Sequence, residues 1–127
     1  MKSKAKGSQR LGPQVGQPVR GSGSGRPIMV VLDLLGRRSA LRLLWELREG
    51  APLTFRALQE AAETNPSLLN TRLRELREAG IVIHQGEGYT LSPSGLELLQ
   101  ALSPLAQWAE VWGERELKER RSKGKPE

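Results

Sequence analysis

Cysteine is absent from the 127 residues. That absence excludes disulfides, thiol redox sensing and cysteine-ligated zinc. There is one histidine, His84, and one aspartate, Asp33. A Ser-His-Asp triad would need both to converge with a serine, and nothing in their spacing brings them together. No glycine-rich phosphate loop follows an apolar strand, and no residues stand at metal-ligand spacing. The chain thus shows no catalytic constellation, and neither metal nor organic cofactor is expected. Long hydrophobic runs are missing as well: no stretch reaches the ~20 apolar residues that span a bilayer, and the N-terminus lacks a signal-peptide apolar core. A soluble, cytoplasmic protein with no membrane partner is expected.

Acid is missing from residues 1–26, which hold Lys2, Lys4, Lys6, Arg10, Arg20 and Arg26. The whole chain carries 20 Lys plus Arg against 14 Asp plus Glu, a net +6, with a pI near 10.3. The excess therefore lies entirely in this leading segment, since the remainder balances. A charge asymmetry of that kind points to a polyanion, nucleic acid ahead of membrane, or to a solubilising tail. The segment is rich in Gly, Ser, Pro and Gln, including Gly21-Ser22-Gly23-Ser24-Gly25, so residues 1–26 read as a disordered basic tail. One domain is expected over residues 27–113, followed by a charged, fraying tail over 114–127.

The most informative stretch runs from Thr54 to Leu91. Thr54 can cap a short helix whose apolar positions Phe55, Leu58, Ala61 and Ala62 fall at helical spacing. After Glu63-Thr64, Asn65-Pro66 opens a second helix, because Asn caps well and a first-turn Pro lacks only an N–H that would be unpaired anyway. Leu69, Leu73 and Leu76 form its apolar stripe, and Gly80 stands where a C′ residue takes positive φ. Two alternating runs follow, Ile81-Val82-Ile83 and Tyr89-Thr90-Leu91, joined by Gly86-Glu87-Gly88, which predicts a hairpin. Helix, turn, helix and hairpin make the layout of a winged helix-turn-helix, so the fold class is mainly α with a small β-hairpin wing.

Around this motif, Pro27 to Gly36 fits a short helix, although its β-branched residues also allow a strand. Ser39 to Glu49 reads as a helix with Ala40, Leu43, Leu44 and Leu47 on one face. Leu41 and Trp45 widen that face, which suggests burial from two sides. Leu53 is placed to pair with the hairpin. Ser92-Pro93 caps a further helix carrying Leu96, Leu98, Leu99 and Leu102, which Ser103-Pro104 restarts or kinks. The apolar stripe then continues through Leu105, Trp108, Ala109 and Trp112. So much apolar helix face at the end of a small domain suggests a dimer interface at Leu99, Leu102, Trp108 and Trp112.

The second helix of the motif carries the chemical expectation. With its leucines turned inward, it offers Ser67, Asn70, Thr71 and Arg74 on the half that enters a major groove in helix-turn-helix docking. Asn bridges adenine N6 and N7, and Arg bridges guanine O6 and N7. Arg72 and Arg77 flank this face and are placed to reach phosphates. Every basic residue between Pro27 and Gly113 is Arg, which suits phosphate and base-edge contacts better than Lys. Glu63, Glu75 and Glu78 read as helix-surface charges, and His84 as a surface or DNA-facing group at the hairpin base.

On these residues the segment from Pro27 to Trp112 resembles the HxlR-type winged-helix transcriptional regulators, relatives of the MarR group. The resemblance rests on Gly36-Arg37-Arg38, on Leu53 through Leu58 (LTFRAL) and above all on Leu69 through Val82 (LNTRLRELREAGIV). Tyr89 through Gly95 (YTLSPSG) and the late Trp108 complete it. It implies a homodimer, assembled by the first and last helices, on a pseudo-palindromic operator in double-stranded DNA. The chain departs from the pattern in having Ser39 where a Trp is usual, Asn65 where a Ser caps, and Gln85 and Glu87 at a short hairpin tip. MarR-type and ArsR-type assignments stay open. The expected function is a sequence-specific DNA-binding regulator, repression being the expected outcome, with room for an unidentified small-molecule effector. The alternatives are a winged-helix protein-interaction module centred on Trp108 and Trp112, and RNA binding by the basic tail.

Overall fold

The computed structural model describes residues 10–124. The chain divides into two compact units, Met1–Leu96 and Glu97–Glu127. In the first, α1 (Pro27–Leu35), α2 (Ala40–Glu46), α3 (Phe55–Ala62) and α4 (Pro66–Glu78) precede a hairpin of β1 (Val82–Gln85) and β2 (Gly88–Leu91). The last helix, α5 (Pro93–Gly124), starts in the first unit and supplies the second.

Local chemistry sets most boundaries. Thr54 accepts a hydrogen bond from the Ala57 amide at 3.1 Å and so starts α3. Asn65 accepts one from Leu68 at 2.8 Å and starts α4, with Pro66 behind it. These caps satisfy amides that have no partner inside the helix. Glu63 closes α3 with φ 52°, and the Arg42 guanidinium reaches across from α2 to the Ala61 carbonyl at 2.6 Å. Arg42 also bonds Glu46, and that hydrogen bond raises the pKa of its guanidinium.

The α4 helix ends at Gly80, with φ +77°. The Ile81 amide then bonds the Leu76 carbonyl at 2.9 Å. An added Cβ at Gly80 would meet no neighbouring atom, so a side chain here meets only the left-handed backbone. Gly80→Val should therefore cost about 1–2 kcal/mol, the penalty of a Cβ in that region. An unchanged urea midpoint would remove the left-handed requirement.

In the antiparallel hairpin, Val82 pairs with Leu91, Ile83 with Thr90, His84 with Tyr89, and Gln85 with Gly88. The loop is the two residues Gly86 and Glu87, one shorter than the spacing predicts, since Gly88 joins the strand. Leu53 adds a bridge to Tyr89 through two backbone hydrogen bonds of 3.0 and 2.7 Å, as its position suggests. The core lies between α2, α3, α4 and the hairpin: Leu43, Leu44, Leu47, Leu58, Leu69, Leu76 and Val82 are almost completely buried. At typical transfer energies each contributes about 1.5–3 kcal/mol.

Four features differ from the sequence expectation. First, α2 stops at Glu46 rather than Glu49. The Leu47 amide bonds the carbonyls of both Leu43 and Leu44, and the Arg48 guanidinium covers the Trp45 carbonyl at 2.9 Å. That tightened turn ends the helix. Second, α2 is covered on one side only: Leu41 and Trp45 are about half exposed, with Arg48 stacked 3.8 Å over the Trp45 ring.

Third, residues 10–26 hold defined turns. Val19 and Ser22 exchange backbone bonds, Gly16 donates to the Gly25 carbonyl at 3.0 Å, and Pro13 is buried. Contacts distant in sequence hold this segment: the Leu11 amide donates to Glu78 at 2.8 Å, and Arg20 lies 3.8 Å from Asp33. Residues 1–9 lie outside the described residues. Fourth, α5 runs through Pro104 to Gly124 without the expected restart or fraying from residue 114. Glu114 and Lys118, Glu116 and Arg120, and Glu119 and Lys123 stand four apart, acid first. That spacing supports an exposed helix, and Arg121 and Lys123 in its last turn suit the helix dipole.

Candidate nucleic-acid interface

The helical repeat separates the polar side of α4 into two flanks. At about 100° per residue, Asn70, Arg74 and Arg77 share one flank, and Arg72 and Glu75 the other. The first flank is open. Ser67, Asn70, Arg74 and Arg77 are exposed, and Thr71 is half-buried.

This flank and the hairpin enclose a groove of about 590 Å³ lined by Asn70, Leu73, Arg74, Arg77, Glu78, Val82, Ile83, His84 and Tyr89. The far wall was not legible from periodicity. His84 and Tyr89 sit opposite each other across the strands, with ring centroids 4.6 Å apart. Their signal is the cross-strand register itself, which follows once the two-residue loop is known. Two arginines and an asparagine on one wall, with an imidazole and a phenol on the other, can donate hydrogen bonds to anionic oxygens and to base edges. The hairpin tip adds no cation: Gln85 and Glu87 are exposed there.

The second flank of α4 is closed, and two expectations are corrected on it. Arg72 does not join the open face. Its Nε donates to the Arg38 carbonyl at 2.8 Å and its Nη1 to Glu75 at 3.2 Å, leaving the side chain 14% exposed. Glu75 is no surface charge: it is 3% exposed and also accepts from Arg37 at 3.1 Å. Arg37 in turn lies 3.8 Å from Asp33. Two guanidiniums on one buried carboxylate fix α4 against the α1–α2 junction. A buried acid needs that compensation, since an unpaired one would be far too costly to desolvate.

In the second unit, Leu99 and Leu102 are half-buried. Trp108 and Trp112 are 59% and 46% exposed and stack at 5.6 Å, with Leu105 and Val111 also exposed on the same helix. Among the described residues, no cluster of His, Cys, Asp or Glu could hold a metal ion, and no helix is long and apolar enough to cross a membrane.

Residues 37–83, which span α2, α3, α4 and the first strand of the hairpin, match the family model of winged helix-turn-helix DNA-binding domains. The chain has the winged helix-turn-helix fold. In its terms α4 is the recognition helix and the hairpin is the wing. The chain is 24% identical over 91 residues to an uncharacterized HTH-type transcriptional regulator of Methanocaldococcus jannaschii, covering 68% of this chain and 85% of that protein. It is also similar to the quinone-bound crystal structure of YodB from B. subtilis, with a TM-score of 0.56 and 28% identity. That match covers 67% of this chain and 92% of the YodB chain. The winged-helix domain and its likeness to such regulators support a DNA-binding regulator.

Proposed function

We propose that the protein is a sequence-specific transcriptional regulator of the HxlR type, a cytoplasmic repressor that binds a pseudo-palindromic operator as a homodimer. The observation that carries the reading is the open flank of the recognition helix, where Asn70, Arg74 and Arg77 stand exposed along the groove beside the wing. Asn70 and Arg74 read base edges, Arg77 and Ser67 hold phosphates, and Thr71 lines the edge of the same face. Arg72 has no part in it, because Glu75 and the Arg38 carbonyl hold it. The quinone on YodB supports a small-molecule effector for this chain too, of chemistry not assigned.

Binding to a randomised duplex library, followed by mobility shifts on the enriched duplex and on random DNA, tests the reading. Asn70→Ala or Arg74→Ala should cost about 1–3 kcal/mol on the enriched duplex and relax one position of it, with much less change on random DNA. Equal losses on both duplexes would reject base reading by these residues.

The exposed Trp108–Trp112 stack supports the homodimer, together with Leu99 and Leu102 on the same helix. Trp112→Ala should weaken association by about 2–4 kcal/mol, the scale of an aromatic anchor. Operator binding should fall with it, because two half-sites are no longer engaged together. Sedimentation of the wild-type protein as a monomer at micromolar concentration would end the dimer reading.

A further inference from the structure

Glu78 sits in the last turn of the recognition helix and is held from two directions. One carboxylate oxygen accepts the backbone amide of Leu11 at 2.8 Å. The other lies 3.5 Å from Nε of Arg74, one turn earlier. Glu78 is 23% exposed at its side chain and Arg74 60%. The same N-terminal segment lies close over the helix at the next residue: a Cβ on Gly12 would come within 3.2 Å of Cβ and Cγ of Glu75. Residues 11 and 12 thus form a strap across the helix that carries Arg74.

An exposed Arg–Glu pair by itself is worth little, since two long side chains must be ordered in high dielectric. Here the carboxylate is already ordered by a backbone donor, so ordering Arg74 against it costs the freedom of one side chain only. An arginine that bridges guanine O6 and N7 must present its guanidinium in one plane, and a carboxylate beside Nε, here an ion pair at 3.5 Å, restricts the arm that carries that plane while leaving both terminal nitrogens to the base.

We propose that Glu78, fixed by the Leu11 amide, is a positioning residue that pre-orients Arg74 for base reading. The inference rests on Arg74 reading DNA as proposed above. It predicts an effect on discrimination opposite to that on general affinity. Removing the Glu78 charge takes a negative group away from the phosphates, which holds or strengthens binding to random DNA. The same change releases Arg74 and weakens binding to the preferred duplex.

The test uses the full chain, the duplex enriched by the wild-type protein from a randomised library, and a random duplex of the same length. Glu78→Gln should lower the ratio of the two affinities by about three- to ten-fold, with random-DNA binding unchanged or tighter. In an Arg74→Ala background the same substitution should leave the ratio unmoved. Leu11→Pro, which removes the amide donor together with the leucine side chain, should lower the ratio in the same direction by a smaller factor, whereas Leu11→Ala, which keeps the donor, should leave it unmoved. An unchanged ratio for Glu78→Gln, beside a lowered ratio for Arg74→Ala, overturns the positioning role while base reading stands. An unchanged ratio for Arg74→Ala instead overturns base reading itself. A full effect of Glu78→Gln in the Arg74→Ala background, or none from Leu11→Pro, removes the link to Arg74 or to the strap respectively.

Discussion

Gly95→Val should destabilise the first unit by roughly 3–5 kcal/mol. Ser92 joins three elements at this point. Its amide donates to the Ile81 carbonyl at 2.9 Å, its hydroxyl donates to the Gly80 carbonyl at 2.6 Å, and the same hydroxyl accepts the Gly95 amide at 2.9 Å. The turn after α4, the residue just before the wing and the start of α5 therefore meet around one serine. Gly95 fits because it has no side chain: a Cβ there would collide with the Ile81 carbonyl oxygen, with the carbonyl carbon and Cγ2 close behind. Those atoms are mostly backbone, so no rotamer change relieves the clash. Overpacking of this kind costs about 1–3 kcal/mol or more, and pulling the segments apart adds a lost cap and a hydrogen bond of about 1 kcal/mol each. A urea titration gives the measurement, and a midpoint within error of wild type would mean that Ile81 yields freely.

Glu75→Ala should cost about 3–4 kcal/mol. Alanine removes the carboxylate between Arg37 and Arg72 and leaves two guanidiniums facing each other beside a small cavity. Breaking a buried pair by deleting one partner costs about 3–5 kcal/mol. The lower part of that range applies because Arg37 is 30% exposed and can turn to water. Glu75→Gln keeps the shape and an acceptor, so its cost should be smaller. Thermal unfolding of the three proteins ranks them, and equal melting temperatures for wild type and Glu75→Ala would show that the carboxylate contributes nothing.

What could be read from the sequence was whatever the chain decides within a few residues. The caps at Thr54 and Asn65, the left-handed Gly80 and the leucine stripe of α4 each depend on spacings of two to seven residues, and all stand where expected. The polar side of α4 was harder. Periodicity shows that Asn70, Arg72, Arg74 and Glu75 all avoid the leucine stripe, but not that another part of the chain covers one flank. The covering groups, Arg37 and Gly12, lie some 35 to 65 residues away in sequence, so Arg72 and Glu75 looked as free as Arg74. Residues 10–26 were misread for the same reason: their composition promises no core, and their order comes from carboxylates on α1 and α4. The continuity of α5 through Pro104 is the converse case: a local breaker stands inside the helix without ending it.

The paired guanidiniums on Glu75 also constrain how this chain can change over time. Losing Glu75 first would strand two cations, and losing Arg72 first would leave the acid to Arg37 alone and the Arg38 carbonyl without its donor. Each single step passes through a less stable intermediate, so drift at 37, 72 and 75 must proceed nearly together or not at all. Asn70 and Arg77, whose side chains face open space, carry no such tie. Relatives should therefore show positions 37, 72 and 75 inherited as a block while 70 and 77 vary one at a time. In that pattern the flank of α4 proposed to read DNA can change freely because the other flank keeps the helix in place.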